Sequence, residues 1–144
     1  IWLRYRYKNF RMRWTKYNQL VLGGATGINT TYISGTGTFN KISTTKPVAQ
    51  TVQFQAGQTV TVGDWSMNGT AGNIVSITSS TAGTVANLVK SGGGTVIAKY
   101  TSVKDNSASP ANTWFADPAN STLVSNYPGW TLGFPGTGNF FLLF

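Results

Sequence analysis

The amino-acid sequence predicts an all-β fold, and three observations lead to this class. Gly, Ser, Thr, Asn, Ala and Val dominate the composition, while aromatic residues reach 13% and charged residues only 10%. Thr, Val and aromatic residues favour a pleated, half-buried surface, and Gly and Asn supply the turns between short strands. Beyond residue 20 we find no apolar pattern of helical period. A chain of 144 residues is long enough for one domain with a continuous apolar core.

A short motif recurs through the middle of the chain and suggests how the strands are arranged. A small residue, a glycine, one or two further residues and a valine recur at Ala56–Val60, Ala71–Val75, Ala82–Val85 and Gly93–Val96. The glycines of this motif are 15, 11 and 11 residues apart. Regular spacing of strands and turns is typical of a solenoid whose coils stack on one another. We therefore predict a short β-solenoid, with a β-sandwich or jelly roll as the alternative.

Composition divides the chain into four segments. Residues 1–22 form a basic aromatic N-terminal arm, 23–29 a Gly-rich joint, 30–104 the β-solenoid body, and 105–144 an aromatic cap with an apolar tail. Within the body we expect strands over 50–55, 59–62, 73–78, 84–89, 95–100 and 101–104. The Asn68-Gly69 pair predicts a tight turn. In the last segment four prolines are expected to interrupt any regular ladder of strands.

The N-terminal arm carries most of the charge. Six of the eleven basic residues lie in the first sixteen positions, and the remaining chain has five lysines against three aspartates. Its apolar residues fit a helical stripe, but they also alternate with Arg and Lys as in two strands that break at Asn9, and the mediocre helix formers favour the extended form. The predicted partner-binding residues are Arg4, Tyr5, Arg6, Tyr7, Lys8, Phe10, Arg11, Arg13, Trp14 and Lys16.

Several partners suit such a segment. Arg and aromatic residues are enriched anchors of protein interfaces, so docking on a protein surface is the leading interpretation. The same residues could neutralise phosphates and stack bases, or contact an anionic membrane surface. A strand pair with a solvated face is the simplest alternative. Nucleic-acid binding predicts a log–log salt slope of up to about −5 if six phosphates are neutralised.

The cap and tail are rich in large apolar side chains. The predicted assembly and cap residues are Trp114, Phe115, Tyr127, Trp130, Phe140, Phe141 and Phe144. The run Phe140–Phe144 is too apolar to stay in water, so we expect it to be buried in the fold or docked on a partner.

Few residues of this chain could perform catalysis. There is no histidine, cysteine or glutamate, and only three aspartates are present. General acid–base chemistry usually employs histidine, and a glycosidase needs two carboxyls about 5–10 Å apart. Asp64 and Asp105 are instead expected to cap turns. We therefore predict no enzymatic activity, no catalytic residue, no metal site and no cofactor.

Two further patterns carry no prediction of function. Ser43-Thr44-Thr45-Lys46 fits the Ser-x-x-Lys pattern of penicillin-recognising enzymes, but the companion Ser-Asp-Asn and Lys-Thr-Gly motifs are missing, so the match is one of chance. No apolar run approaches the roughly 20 residues of a transmembrane helix.

Residues 101–130 carry a series of short motifs in a fixed order. These are Thr101–Ala108 with Asp105-Asn106, then Ala111–Ala116 with Trp114-Phe115, then Asn120-Ser121-Thr122 and Gly129-Trp130. In this order they resemble the C-terminal modules of right-handed β-helix (pectate-lyase-like solenoid) repeat proteins found among phage virion structural proteins. The resemblance covers roughly residues 50–144 and not the arm. It implies a right-handed β-helix placed on a virion or cell surface, and it carries over no catalytic residue.

The leading expectation is therefore a non-enzymatic phage virion structural protein of capsid-decoration or tail-fibre type. Its partners would be other virion proteins and itself, in a homotrimer at the virion surface, because closed symmetry can hide apolar edges. The alternative is a secreted or cell-surface bacterial β-solenoid adhesin that binds host-surface glycan. Nucleic-acid binding through the arm is the second alternative.

Overall fold

The computed structural model describes residues 2–3, 8–11, 15–23 and 29–136, with side chains for 11, 15–23 and 29–136. All of the elements in this part of the chain are β-strands, which confirms the all-β class. They are β1 (Trp2–Leu3), β2 (Lys8–Arg11), β3 (Lys16–Leu22), β4 (Thr30–Ser34), β5 (Gly37–Thr44), β6 (Gln50–Phe54), β7 (Thr59–Ser66), β8 (Val75–Ser79), β9 (Ala86–Lys90), β10 (Val96–Ala98), β11 (Thr101–Lys104), β12 (Asn106–Ser109), β13 (Trp114–Ala116), β14 (Thr122–Ser125) and β15 (Trp130–Leu132).

The strands form three parallel sheets. Sheet 1 has the order β1-β3-β5-β7-β9-β12, sheet 2 the order β2-β4-β6-β8-β11-β14, and sheet 3 the order β10-β13-β15. The chain passes from a strand of sheet 2 to a strand of sheet 1 and then back, and from β10 onward the coils add sheet 3. This arrangement is a stacked β-solenoid of about 5 turns, as predicted. The alternative of a sandwich is wrong, because the pairs between named strands in the described residues are parallel.

The core is built from inward side chains that stack from coil to coil. Val52, Ile77 and Val103 lie in register on three successive strands of sheet 2, and each is fully buried. Phe39 and Val62 do the same in sheet 1. Full burial of such side chains contributes about 1.5–3 kcal/mol each. Because each coil covers the apolar side chains of the previous coil, stability depends on contacts between neighbouring coils.

One corner of the solenoid gives the true repeat of the chain. Gly35, Gly57, Gly83, Asp105 and Asn126 each follow a strand of sheet 2 and have φ values of 90°, 72°, 79°, 50° and 49°. They are 22, 26, 22 and 21 residues apart, so one coil spans about that length. The glycine spacings of 15 and 11 residues are shorter than one coil, because Gly72 and Gly94 lie at other corners than Gly57 and Gly83.

The strands continue into both ends of the chain. The three strands of the N-terminal arm join the same sheets as the body, so the extended interpretation is confirmed where the structure describes the arm. Asn9, the expected break, lies inside β2. Three prolines of the last segment, at 110, 118 and 128, lie between strands, and Pro135 follows β15. The expected interruption was therefore wrong, and the parallel ladder runs on to β15.

The tight turn lies near, but not at, the predicted Asn68-Gly69. Thr70 and Asn73 form an isolated antiparallel bridge, with Thr70 N–H to Asn73 O at 3.1 Å and Asn73 N–H to Thr70 O at 2.9 Å. Gly69 has a different role, since a Cβ there would lie 2.3 Å from Asn73 O and 2.6 Å from Tyr100 O. Only glycine allows two backbone segments to approach so closely at this position.

Candidate functional site

The structure describes part of the predicted partner-binding set. Lys8, Phe10 and Arg11 belong to β2 and Lys16 begins β3, so these residues lie on the first strands of sheets 2 and 1. Arg11 and Lys16 are exposed. The remaining predicted residues, which are Arg4, Tyr5, Arg6, Tyr7, Arg13 and Trp14, lie outside the described residues. The described members thus gather at the N-terminal end of the solenoid.

The charge at this end has no acidic counterpart nearby in sequence. The first carboxylate of the chain is Asp64, and it lies on β7, two strands away from β3 in sheet 1. A cluster of positive charges raises the local concentration of negatively charged partners within a Debye length, which is about 8 Å at physiological salt. The N-terminal end can therefore attract an acidic surface.

Most of the described cap residues lie in the core. Trp114, Phe115 and Trp130 are buried, and only Tyr127 is exposed, at 37%. Trp114 contacts Trp65 and Trp130 edge-on, with ring centroids 5.3 Å and 5.1 Å apart. The predicted members Phe140, Phe141 and Phe144 lie outside the described residues. The cap tryptophans therefore hold the last coils together and are not available at the surface.

Asp105 braces the corner between sheets 2 and 1. Asp105 is 3% exposed, and its carboxylate accepts hydrogen bonds from Gly83 N–H at 3.1 Å and from Asn126 Nδ2 at 3.3 Å. The Asn126 amide also donates to Gly83 O at 3.3 Å. These three residues occupy the same corner in three successive coils. The carboxylate therefore links the coil before it to the coil after it.

The other two carboxylates also have structural partners. Asp117 accepts hydrogen bonds from Ala119 N–H at 2.9 Å and Asn120 Nδ2 at 3.2 Å, which closes a turn after β13. Asp64 was expected to cap a turn, but it lies within β7 and pairs with Lys41 Nζ at 3.2 Å. All three carboxylates of the chain thus take part in holding strands or turns.

Asp105→Asn is expected to lower the free energy of unfolding by about 2 kcal/mol. Asparagine tolerates the left-handed backbone, but the new amide nitrogen would face a donor where the carboxylate oxygen accepts, and a buried unpaired donor costs about 1–3 kcal/mol. Urea denaturation followed by circular dichroism measures the loss. Asp64→Asn is the matched control, because its ion pair is exposed, and it should change stability by less than about 0.5 kcal/mol. Equal effects of the two substitutions would contradict the bracing role of Asp105.

The Ser-x-x-Lys match has no catalytic geometry. Ser43 lies in β5, whereas that chemistry requires the serine at the start of a helix. Burial lowers the pKa of Lys46, because desolvation penalises its ammonium form. The Lys46 amide donates to Thr44 Oγ1 at 3.2 Å, as in an ordinary turn after a strand. Ser43 and Lys46 therefore have the positions expected of a strand end and the turn that follows it.

Other chemistry can be surveyed only where the chain is described. Across residues 29–136 and the shorter described stretches, no group of three or more acidic, histidine or cysteine side chains could hold a metal ion. No helix in that part of the chain is long and apolar enough to cross a bilayer. A shallow, open groove of about 490 Å³ is lined by residues 124–130 at the C-terminal end.

The sequence analysis missed a row of hydroxyl groups on the outer face of sheet 2. Thr30, Thr51, Ser76, Ser102 and Thr122 stand in register on five successive strands, partly or fully exposed. At a strand spacing of about 4.8 Å the row is about 19 Å long. Only the true coil repeat reveals the row, because its members share a position in each coil and no local motif.

Comparison of the chain with protein-family models, with curated proteins and with solved structures finds no match. A functional proposal for this β-solenoid therefore depends on its own geometry and on the motifs described above.

Proposed function

We propose that this chain is a non-enzymatic structural component of a phage particle, of capsid-decoration or tail-fibre type. The main support for this proposal is that the three carboxylates of the chain all have structural partners. Asp105 and Asp117 brace corners and Asp64 lies in an ion pair, so the acidic groups of the chain serve the frame of the solenoid. A regular stack of coils held together in this way suits a structural protein, which functions by binding other proteins through its surface.

The N-terminal end supports the proposal because it provides a candidate attachment site, called the seat below, for binding to the particle. Arg11 and Lys16 are exposed there, and the sequence adds further Arg, Lys and aromatic residues to the same segment. Arg and aromatic residues provide the anchors of protein interfaces, and complementary charge speeds association. In this arrangement the segment docks on an acidic protein surface of the virion, and the coils project from it. Homotrimers at the virion surface would hide apolar edges of the coils.

The seat is best tested by neutralising charge. Deleting residues 1–22 would remove Leu20 and Leu22, which are buried in the core, and would damage the fold. The double substitution Arg11→Gln and Lys16→Gln leaves the core intact. We expect it to weaken attachment at least about tenfold, equivalent to about 1.4 kcal/mol. The matched control neutralises Lys99 and Lys104, which are exposed on later coils.

The measurement is occupancy of the chain on purified particles of the phage that carries this reading frame. Quantitative mass spectrometry of gradient-purified particles should find the wild-type chain and the lysine control at equal levels, and the arm variant depleted. Undiminished occupancy of the arm variant would rule out the arm as the seat. Absence of the wild-type chain from particles would overturn the virion proposal.

A glycan-binding adhesin is the second candidate, and the hydroxyl row of sheet 2 favours it. Thr30, Thr51, Ser76, Ser102 and Thr122 provide uncharged donors and acceptors at regular spacing, and Tyr32 on the same face adds an aromatic surface. Such a face suits a neutral polysaccharide better than an anionic one. Glycan binding by the isolated chain, together with its absence from particles, would establish this function in place of the first.

A further inference from the structure

The sequence contains a single Asn-Gly pair, Asn68-Gly69, whose covalent structure can change without an enzyme. In such a pair the backbone nitrogen of the glycine attacks the side-chain amide carbon, Cγ, of the asparagine. A C–N bond forms, the Cγ–Nδ2 bond breaks, and ammonia leaves with the proton of the glycine N–H, so that a succinimide ring results. Water then opens the ring at either carbonyl and gives aspartate or isoaspartate. Glycine makes the attack easy, because no side chain obstructs its nitrogen.

The structure holds both reacting groups against the backbone of one residue, Lys99. Gly69 N–H donates to Lys99 O at 3.0 Å, and Lys99 N–H donates to Asn68 Oδ1 at 3.0 Å. The side chain of Asn68 thus takes the place that a backbone carbonyl has when two strands exchange a pair of hydrogen bonds. We refer to these two hydrogen bonds as the Lys99 contact. Asn68 is exposed, so water and hydroxide reach the pair from solvent.

The Lys99 contact opposes each step of ring formation. The nitrogen of Gly69 has to lose its proton before it attacks, and Lys99 O holds that proton. The Cγ of Asn68 has to turn toward this nitrogen, whereas the bond from Lys99 N–H keeps the side chain turned toward Lys99. Both bonds must therefore open first. The reaction rate in the folded chain is then the rate in the unfolded chain multiplied by the fraction of molecules in which the contact is open.

The surroundings make this opening infrequent. Tyr100, next to Lys99, is fixed from two sides, because its N–H donates to Asn120 Oδ1 at 2.8 Å and its O accepts from Val75 N–H at 2.9 Å. Gly69 is packed so closely that an added Cβ would clash with Tyr100 O. The contact can therefore open only when these neighbouring segments of two coils separate.

We propose that Asn68 is a site of spontaneous deamidation, and that the Lys99 contact controls its rate. The two products differ in their consequences. Aspartate keeps an oxygen where Oδ1 stood, so it can still accept from Lys99 N–H. Isoaspartate inserts one more carbon into the main chain before Gly69, where the packing against Tyr100 leaves no space, so the contact cannot re-form. Modification thus records past openings of this part of the solenoid and makes them permanent, whatever the chain binds.

The test compares deamidation of the folded and the unfolded wild-type chain. Both are incubated in the same mildly alkaline buffer, the second with enough urea to unfold it, and peptide mass spectrometry follows the conversion of Asn68. We expect Asn68 to be the asparagine that reacts fastest in the unfolded chain, and to react at least about tenfold more slowly in the folded chain. Hydrogen exchange of the Gly69 amide reports the same opening, so the protection factors of the two processes should agree within about fivefold.

Three variants identify the signal and its control. Asn68→Gln should abolish the signal, because glutamine would have to form a larger ring. Asn120→Ala removes the acceptor of Tyr100 N–H and should raise the rate in the folded chain several-fold. Lys99→Ala is the matched control, because it keeps both backbone hydrogen bonds of the Lys99 contact and should leave the rate unchanged.

The same measurements can overturn the proposal. If Asn68 stayed unmodified in the unfolded chain, or if the signal persisted in Asn68→Gln, the site would be wrong. Equal rates in the folded and unfolded wild-type chain would overturn the control by the Lys99 contact. So would protection of Asn68 that differed from that of the Gly69 amide by more than about tenfold, because the two processes would then require different openings.

Discussion

Trp114→Ala is expected to lower the free energy of unfolding by about 4 kcal/mol, which makes it one of the most damaging single substitutions in the chain. Removal of a buried tryptophan costs about 3–5 kcal/mol through lost transfer energy and the cavity that remains. Trp114 is fully buried and makes edge-on contacts with Trp130 of the next coil and with Trp65, which belongs to the coil two before its own. Its indole Nε1 also donates to Ser109 O at 2.8 Å, and the substitution removes this part-buried hydrogen bond as well.

The effect should be local as well as large. Stability in a solenoid depends mainly on contacts between nearby coils, so loss of Trp114 should expose β13 and β15 before it affects the more distant strands β4 to β6. Amide hydrogen exchange can locate the loss, and urea denaturation followed by circular dichroism gives its size. Trp114→Phe is the graded comparison, because it retains an aromatic ring and should cost about 1–2 kcal/mol. A loss below about 1 kcal/mol for the alanine variant would contradict the central position of this side chain.

The period of the solenoid could not be obtained from glycines alone. The corner after sheet 2 has a left-handed backbone in each of the five coils whose corner the structure describes, and the first three of these corners use Gly35, Gly57 and Gly83. The next two coils use Asp105 and Asn126, which also tolerate this conformation. A pattern built on glycine therefore loses the corner after residue 83 and includes Gly72 and Gly94 from other corners. The fold class was predictable because alternation and composition do not depend on the corner residues.

The sequence predicted where the charged residues cluster, but it could not predict which aromatic side chains point into the core. The clustering of Arg and Lys before residue 17 is a property of the sequence, and the structure places Arg11 and Lys16 on the outside. Whether an aromatic residue of the last segment points inward depends on strand register, and a shift of one residue reverses it. Trp114 and Trp130 therefore turned out to be core residues, whereas Tyr127 is exposed.

The anchors that carry the resemblance have structural roles in this chain. Asp105 braces a corner, Asn106 Oδ1 accepts from Trp130 Nε1 at 3.1 Å, and Ser121 Oγ accepts from Thr101 N–H at 3.1 Å. These contacts join one coil to the next and leave the outer faces free to vary. A pattern of such residues therefore specifies how a solenoid closes, and the function has to be argued from its ends and outer faces.

Gly129→Ala is expected to lower the free energy of unfolding by about 3 kcal/mol, although it adds only one methyl group. A Cβ at this position would lie 1.8 Å from Ala108 O and 2.8 Å from Ala108 C, both of which are backbone atoms that cannot move aside cheaply. The φ of +82° adds about 1–2 kcal/mol for a residue with a Cβ. Relief of the clash requires residues 126–129 to move away from β12, and overpacking of this kind costs about 1–3 kcal/mol.

The movement has a specific signature. It should break the hydrogen bond from Ala108 N–H to Pro128 O, so the Ala108 amide should exchange with solvent much faster, while the amides of β6 and β8 stay protected. Gly93→Ala is the matched control, because a Cβ there meets nothing within 4 Å and its φ is not left-handed. That variant should be neutral or slightly stabilising, since alanine reduces the freedom of the unfolded chain. If Gly129→Ala behaved like Gly93→Ala, residues 126–129 could not be packed against β12.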